Sequence, residues 1–197
     1  MFITFEGGEG VGKTTQIKLL ADYLISQGKD VVITREPGGT PIAEEIRGIL
    51  LNSKAKLTPE TELMLVYAAR KDHVENKIIP ALKQGKYVLC DRFADSSYIY
   101  QGYLQGVDNR WIDEVHSILL GDFWPELTIL LDMPIDASLT RTDARGDKNR
   151  FDNMHATLHT KIREGFKERA KANPNRIKLV NADNTAEAVF ESVKKII

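Results

Sequence analysis

Apolar positions along this chain switch repeatedly between continuous short runs and a spacing of three and four. FITF at 2–5 is a β-rich run that stops at a glycine cluster. Beyond Thr14 the period becomes helical: Ile17, Leu20, Ala21 and Leu24 share one face, and Gly28 ends it. VVIT at 31–34 predicts the next strand, and the punctuated segment REPGGTP follows it. Residues 42–51 read as a short helix. A long helical tract then starts near Pro59 and runs past Arg70 toward Leu82, with Gly85 beyond its end.

YVLCD at 87–91 and LTILLD at 127–132 are apolar runs without alternation, as expected of strands covered on both faces. Met154, Leu158, Ile162 and Phe166 fall four apart and predict another helix face. IKLV at 177–180 and a last helix carrying Ala186, Val189, Phe190 and Val193 finish the chain. Five strands separated by helices predict one α/β domain, residues 1–197, with three layers around a mostly parallel sheet. Its crevice should lie beyond the carboxyl ends of the strands. The glycine cluster, Arg35, Asp91 and the segment after Asp132 all leave strands at that end.

Composition narrows the partners. Lys plus Arg number 27 against 28 Asp plus Glu, a net charge of -1, which does not suit a general nucleic-acid binder. No apolar run approaches the roughly 20 residues that span a bilayer. Cys90 is the only cysteine, so an intrachain disulfide and a cysteine-rich zinc site are excluded, and its place in YVLCD predicts a buried strand residue. With no leader ahead of the first strand, the expectation is a soluble cytoplasmic protein.

The glycine cluster carries the clearest chemistry. Gly7-x-x-x-x-Gly12-Lys13-Thr14 is a full Walker A match between a predicted strand and a predicted helix. Glycines at Gly7, Gly8, Gly10 and Gly12, with Glu9 and Val11 between them, let the backbone curl its N–H groups inward. The helix start at Thr14 and Thr15 adds positive potential. Lys13 should reach the β- and γ-phosphates of ATP, and the Thr14 hydroxyl should bind Mg²⁺.

Binding ATP does not establish transfer. A GTPase would want an Asn-Lys-x-Asp sequence, which is absent, and a motor would want a further domain to receive work. A P-loop ATPase without an acceptor remains the alternative. A second pocket with its own arginines would decide for phosphoryl transfer. Arg35 closes the second strand, Arg70 lies in the long helix and Arg92 follows strand-ending Asp91. Guanidinium forks suit phosphate oxygens or a base edge.

FEGGEGVGKTT, TREPGGT, YAAR, DRFADSSYIYQG and PELTILLD, taken in series from Phe2 to about Phe166, resemble the thymidylate kinases. The resemblance implies a P-loop nucleotide kinase fold. It also implies transfer of the terminal phosphoryl group of ATP to deoxythymidine monophosphate, with Mg²⁺, in a homodimer. A broader nucleoside monophosphate kinase is the neighbouring alternative. Residue by residue, the resemblance makes Arg35 and Arg92 ligands of the acceptor phosphate. Glu9 corresponds to the acidic residue beside the sugar 3′-hydroxyl, and Arg70 to the donor facing a thymine carbonyl. Ser97 and Gln101 look like base-side contacts, Tyr100 like the ring that crowds a ribose 2′-hydroxyl. Asp91 looks like the carboxylate on the Mg²⁺ side, directly or through water.

Two positions depart from the family pattern. Val66 stands where a Phe or Tyr usually stacks on thymine, and Tyr67 points about 100° around the helix from it. Val66 is expected to form an apolar wall of the base pocket. In the lid-like segment 140–152, TRTDARGDKNRFD, Asp143 occupies a place where arginine is common. Gly10 has no side chain to serve as a catalytic arginine, so the resemblance is to the bacterial subgroup that supplies it from the lid. Arg145 is the first candidate and Arg150 the second, with Arg141 as a clamp for ATP. His155 and His159 lie four apart near Asp152, but they lack a third ligand and read as exposed or interface residues. Leu63, Val66 and Val74 suit either an internal helix face or a subunit contact.

Overall fold

The computed structural model describes residues 1–145 and 156–197 of the chain. Five strands, β1 (Phe2–Glu6), β2 (Val31–Arg35), β3 (Tyr87–Asp91), β4 (Leu127–Asp132) and β5 (Ile177–Asn181), form one sheet in the order β2-β3-β1-β4-β5. All neighbours are parallel, so helical segments must return the chain between strands. These are α1 (Lys13–Ser26), α2 (Pro41–Asn52), α3 (Pro59–His73), α4 (Ile79–Lys83), α5 (Ala94–Ser97) and α6 (Asn109–Leu120). α7 (Ile135–Arg145), α8 (Ala156–Ala172) and α9 (Ala186–Lys194) complete the set. No described helix is long and apolar enough to cross a membrane.

β1 is the central strand, and all five residues of FITFE are buried. Alternation decides which layer each side chain meets. Ile3 and Phe5 join Ile17 and Leu20 of α1 and Val189 and Val193 of α9. Phe2 points the other way, into a cluster with Val88, Cys90 and Phe93. Cys90 is fully buried as expected, and burial pushes its thiol well above the ordinary value, which leaves it inert. On the same side of the sheet as Phe2, Thr4 and Thr128 exchange a buried hydroxyl hydrogen bond at 2.8 Å.

The long tract from Pro59 is helical to Lys83 but not uniform. A π-helical turn, Val74–Ile78, joins α3 to α4 just ahead of Pro80, which has no N–H to donate. A second π-helical segment, Tyr98–Leu104, follows α5. Thr40, Thr58 and Thr185 cap α2, α3 and α9 through their hydroxyls. Leu63, Val66 and Val74 are buried within the chain, which makes theirs an internal face. His159 is 3% exposed, correcting the expectation of an exposed or interface position: it precedes buried Ile162 by three residues and Phe166 by seven, on the same inward face of α8. His155 lies outside the described residues.

Register places the functional loops together. Arg35 pairs with Asp91 across β2 and β3, and Asp91 pairs with Phe5 of β1. The glycine cluster, Arg35 and Arg92 therefore leave the sheet side by side.

Candidate active site

A cavity of about 1240 Å³ opens beyond the carboxyl ends of the strands. Its size exceeds the usual range for one small ligand and leaves room for two nucleotides. At one end lies the loop between β1 and α1. Gly7 has φ 136, and a Cβ there would stand 2.4 Å from the Leu131 carbonyl oxygen, so only glycine fits beside β4. Gly12 has φ 94 and leads into α1, whose first turn carries no acidic residue to offset its positive end.

Lys13 is 7% exposed and folds back on the loop, donating to the carbonyls of Gly7 at 3.3 Å and Gly8 at 2.9 Å. Burial, and then Arg92, hold its ammonium below the ordinary pKa. The Thr14 hydroxyl donates to Asp91 Oδ2 at 3.3 Å. Thr14 and Asp91 thus form a pair of hard oxygen donors. Among the described residues no cluster of three or more His, Cys, Asp or Glu could hold a metal by itself. The pair suits Mg²⁺, which keeps most of its coordination for water and phosphate.

Arg92 sits in left-handed backbone, φ 71, unusual for a side chain with a Cβ. Its N–H donates to the Phe5 carbonyl at 3.0 Å, and its guanidinium reaches back to Glu9 Oε1 at 2.7 Å. The same guanidinium lies over the Tyr100 ring, 5.1 Å from its centroid, and the Tyr100 hydroxyl donates to Glu9 Oε1 at 3.3 Å. Burial opposes charge on Glu9, but Arg92 and Lys13 outweigh it and hold the carboxyl at about 2.

Glu6 shows the opposite balance. It accepts from the Phe93 N–H at 2.8 Å and the Ser96 hydroxyl at 2.7 Å, with Arg92 at 3.8 Å. Burial dominates the pull of Arg92 and raises its pKa to about 7.

The other end of the cavity is built on α3. Arg70 is 2% exposed and held on three sides: Nε donates to Glu36 at 2.7 Å, Nη1 to Ser97 at 3.1 Å and Nη2 to the Phe93 carbonyl at 3.1 Å. Glu36 also faces His73 Nδ1 at 3.0 Å, whose Nε2 meets the Thr34 hydroxyl at 2.7 Å. Burial works against the Glu36 carboxylate, yet Arg70 and His73 keep its pKa low. Val66 lines the cavity one turn before Arg70, and Gln101 lies in the wall near Tyr100. Tyr67 turns away into the core, where its ring lies 4.5 Å from the Arg70 guanidinium. Arg35 is more open and bonds Glu44 at 3.1 Å.

Most of the residues singled out from sequence meet in this one cavity. Glu9 to Thr15 and Arg141 line one side, and Arg35, Val66, Arg70, Ser97, Tyr100 and Gln101 line the other, with Asp91 and Arg92 between. Gly7 and Gly8 face instead a void of about 10 Å³ behind the loop. Arg141 donates to the carbonyls of Ala182 and Asn184, joining α7 to the loop before α9. Arg145 ends α7 in backbone; its side chain, Arg150 and residues 146–152 of the expected lid lie outside the described residues.

Sequence reading missed Glu6, Glu36 and Glu62. Two of the three close or directly follow an apolar strand at the crevice end, which was a usable signal. A buried arginine also requires a carboxylate partner, although spacing alone did not say which.

A protein-family model for thymidylate kinase matches residues 5–193. The thymidylate kinase of Caulobacter vibrioides is 45% identical over 197 residues, covering all of this chain and 95% of the relative. That of Syntrophotalea carbinolica is 47% identical over 199 residues, covering 98% and 92%. The crystal structure of thymidylate kinase from Ehrlichia chaffeensis superposes with a TM-score of 0.80 at 35% identity, covering all of this chain and 97% of the other.

Proposed function

The chain belongs to the thymidylate kinase family and so transfers the terminal phosphoryl group of ATP to deoxythymidine monophosphate, and on that premise we propose how its residues divide the work. The observation that carries the assignment is the single cavity joining the phosphate loop to the α3 face with Arg70. Products are deoxythymidine diphosphate and ADP.

Phosphoryl transfer asks for in-line positioning and for compensation of negative charge. The loop amides and Lys13 hold the ATP phosphates, and Arg141 flanks the nucleoside side of that half. Thr14 and Asp91 would hold Mg²⁺, which when bound neutralises charge on the phosphates. Arg92 and Arg35 bring the acceptor phosphate into line, against the repulsion between two anionic substrates. An acceptor phosphate oxygen is already nucleophilic at neutral pH, so the chain needs no general base. Glu9 meets the sugar hydroxyl, with Tyr100 packed against the same edge. Arg70, Ser97, Val66 and Gln101 face the base.

Arg145, or Arg150, supplies the transition-state charge that Gly10 lacks. The family likeness also carries a homodimer to this chain. Trp111 and Ile118, seven apart on one face of α6, are 52% and 80% exposed and supply apolar surface for it. Sedimentation at micromolar concentration checks that point.

The functional assignment is tested with purified protein, ATP, Mg²⁺ and a panel of nucleoside monophosphates, following diphosphate formation. Preference for deoxythymidine monophosphate is the expected result. Equal use of other monophosphates, or ATP hydrolysis without transfer, would overturn it.

A further inference from the structure

Glu62 lies in the first turn of α3, where the positive helix end favours a carboxylate. Val66 and Arg70 follow it at four and eight residues, so the three share one helix face, and all three line the cavity. Glu62 itself is 4% exposed, and its Oε1 accepts two amide N–H bonds, from Gln101 at 2.8 Å and Gln105 at 2.9 Å. Both N–H bonds converge on this one carboxylate oxygen.

That fact fixes an orientation. A glutamine amide is nearly symmetric in shape but opposite in hydrogen-bonding sense at its two ends. Gln101 turns its NH₂ toward Glu62 Oε1, and the reverse orientation would set the amide oxygen against an oxygen that already accepts from Gln105. Its own oxygen is then the end left for the cavity, where Gln101 is a wall residue.

We propose that Glu62 is a positioning residue that sets the polarity of the Gln101 amide and thereby selects the hydrogen-bonding pattern of the acceptor base. This inference rests on the functional reading above. Arg70, pinned by Glu36, Ser97 and the Phe93 carbonyl, offers only donors. Gln101, oriented by Glu62, offers an acceptor. A donor beside an acceptor matches a base edge with a carbonyl next to a ring N–H, as in thymine. Cytosine presents an amino group next to a bare ring nitrogen, which sets donor against donor and acceptor against acceptor. Gln105 shares the carboxylate oxygen and fixes it from the second π-helical segment's end.

The test compares kcat and KM for deoxythymidine and deoxycytidine monophosphates in wild type, Glu62→Gln, Gln101→Leu and the double variant. In Glu62→Gln either end of the Gln101 amide finds a partner, so its polarity is no longer imposed. The ratio of kcat/KM for the thymidine over the cytidine substrate should fall about tenfold or more, with KM for the thymidine substrate rising, use of the cytidine substrate improving and KM for ATP unchanged. In the Gln101→Leu background, adding Glu62→Gln should not move the ratio further. If Glu62→Gln does not fold, Glu62→Asp draws the carboxylate back and should shift the ratio in the same direction.

An unchanged ratio, a parallel loss for both substrates, or the same shift with and without Gln101 would overturn the inference while leaving a wild-type thymidylate preference standing. Wild-type protein that ignores deoxythymidine monophosphate would overturn the functional reading and this inference with it.

Discussion

Arg92 Nη2 lies 2.7 Å from Glu9 Oε1, tying the loop after β3 to the middle of the phosphate loop. Left-handed backbone at Arg92, anchored by its N–H to the Phe5 carbonyl at 3.0 Å, turns the side chain back over β1. A residue proposed for the acceptor phosphate is thereby indexed to the loop proposed to hold the ATP phosphates. On the proposed assignment the two halves of the reaction share this one contact, as in-line transfer requires.

Removing that contact should separate affinity from folding. Arg92→Ala deletes the fork and leaves Glu9 without the partner that holds its carboxyl at about 2. A lost charge-assisted pair is worth roughly 1.5–3 kcal/mol, so kcat/KM for the acceptor should drop about 10- to 100-fold. Arg92→Lys should recover only part of it, since an ammonium cannot bridge Glu9 and a phosphate in one plane. Steady-state kinetics checks both variants; an Arg92→Ala protein with unaltered acceptor KM and kcat would remove Arg92 from the site.

Glu6 predicts a specific pH dependence of stability. Its carboxyl is raised from 4.5 to about 7 in the fold, so the native protein keeps a proton that the unfolded chain has released. That contribution is fully present below about 4.5 and is lost as pH rises through about 7, at most about 3 kcal/mol. Glu6→Gln keeps the shape and never charges. Its denaturation midpoint relative to wild type should therefore climb between pH 5 and pH 8. A gap that stays constant across that range would show that Glu6 does not titrate there.

The layers and the strand ends were readable because buried strands and amphipathic helices write their period directly into the chain. LTILLD without alternation announced a doubly covered strand, and the Walker A spacing announced the phosphate loop. The acidic side chains behind the arginines were harder. Glu36 precedes Arg70 by 34 residues, and only the parallel register of β2 beside β3 brings that turn over α3. Glu62 sits on the expected helix, but its partners Gln101 and Gln105 lie in and just after a π-helical segment whose i→i+5 bonding no 3.6-residue pattern reveals. His159 was misread for a local reason. Ile162 and Phe166 are buried on α8, and His159 precedes them by three and seven residues, so it shares their inward face while Leu158 is only partly buried.

Val66 offers a gain rather than a loss. The position lines the cavity one turn from Arg70, on the wall proposed to face the base. Val66→Phe should lower KM for deoxythymidine monophosphate about two- to tenfold through stacking worth about 0.5–1.5 kcal/mol. Turnover should change little, because a stack formed equally in ground and transition states does not speed chemistry. The deoxyuridine counterpart should gain similarly, since both bases present a ring face. A raised KM for both substrates would mean that the site is too tight for a phenyl group.

On the proposed mechanism the transition state needs one further charge, and the phosphate loop has glycine at position 10, which lines the cavity with no side chain. Arg141 is already committed to the carbonyls of Ala182 and Asn184, one turn earlier on α7. Arg145 follows at the end of the same helix, inside the segment 140–152 expected to act as the lid. Its contact should form as charge develops on the moving phosphoryl group, so Arg145→Ala should lower single-turnover transfer about 100-fold or more while acceptor affinity changes less than threefold. Arg150→Ala, measured beside it, should show a smaller loss of rate. If Arg145→Ala weakens acceptor binding but keeps the chemical rate, the catalytic charge belongs to Arg150, and the same assay on that variant should then carry the larger defect.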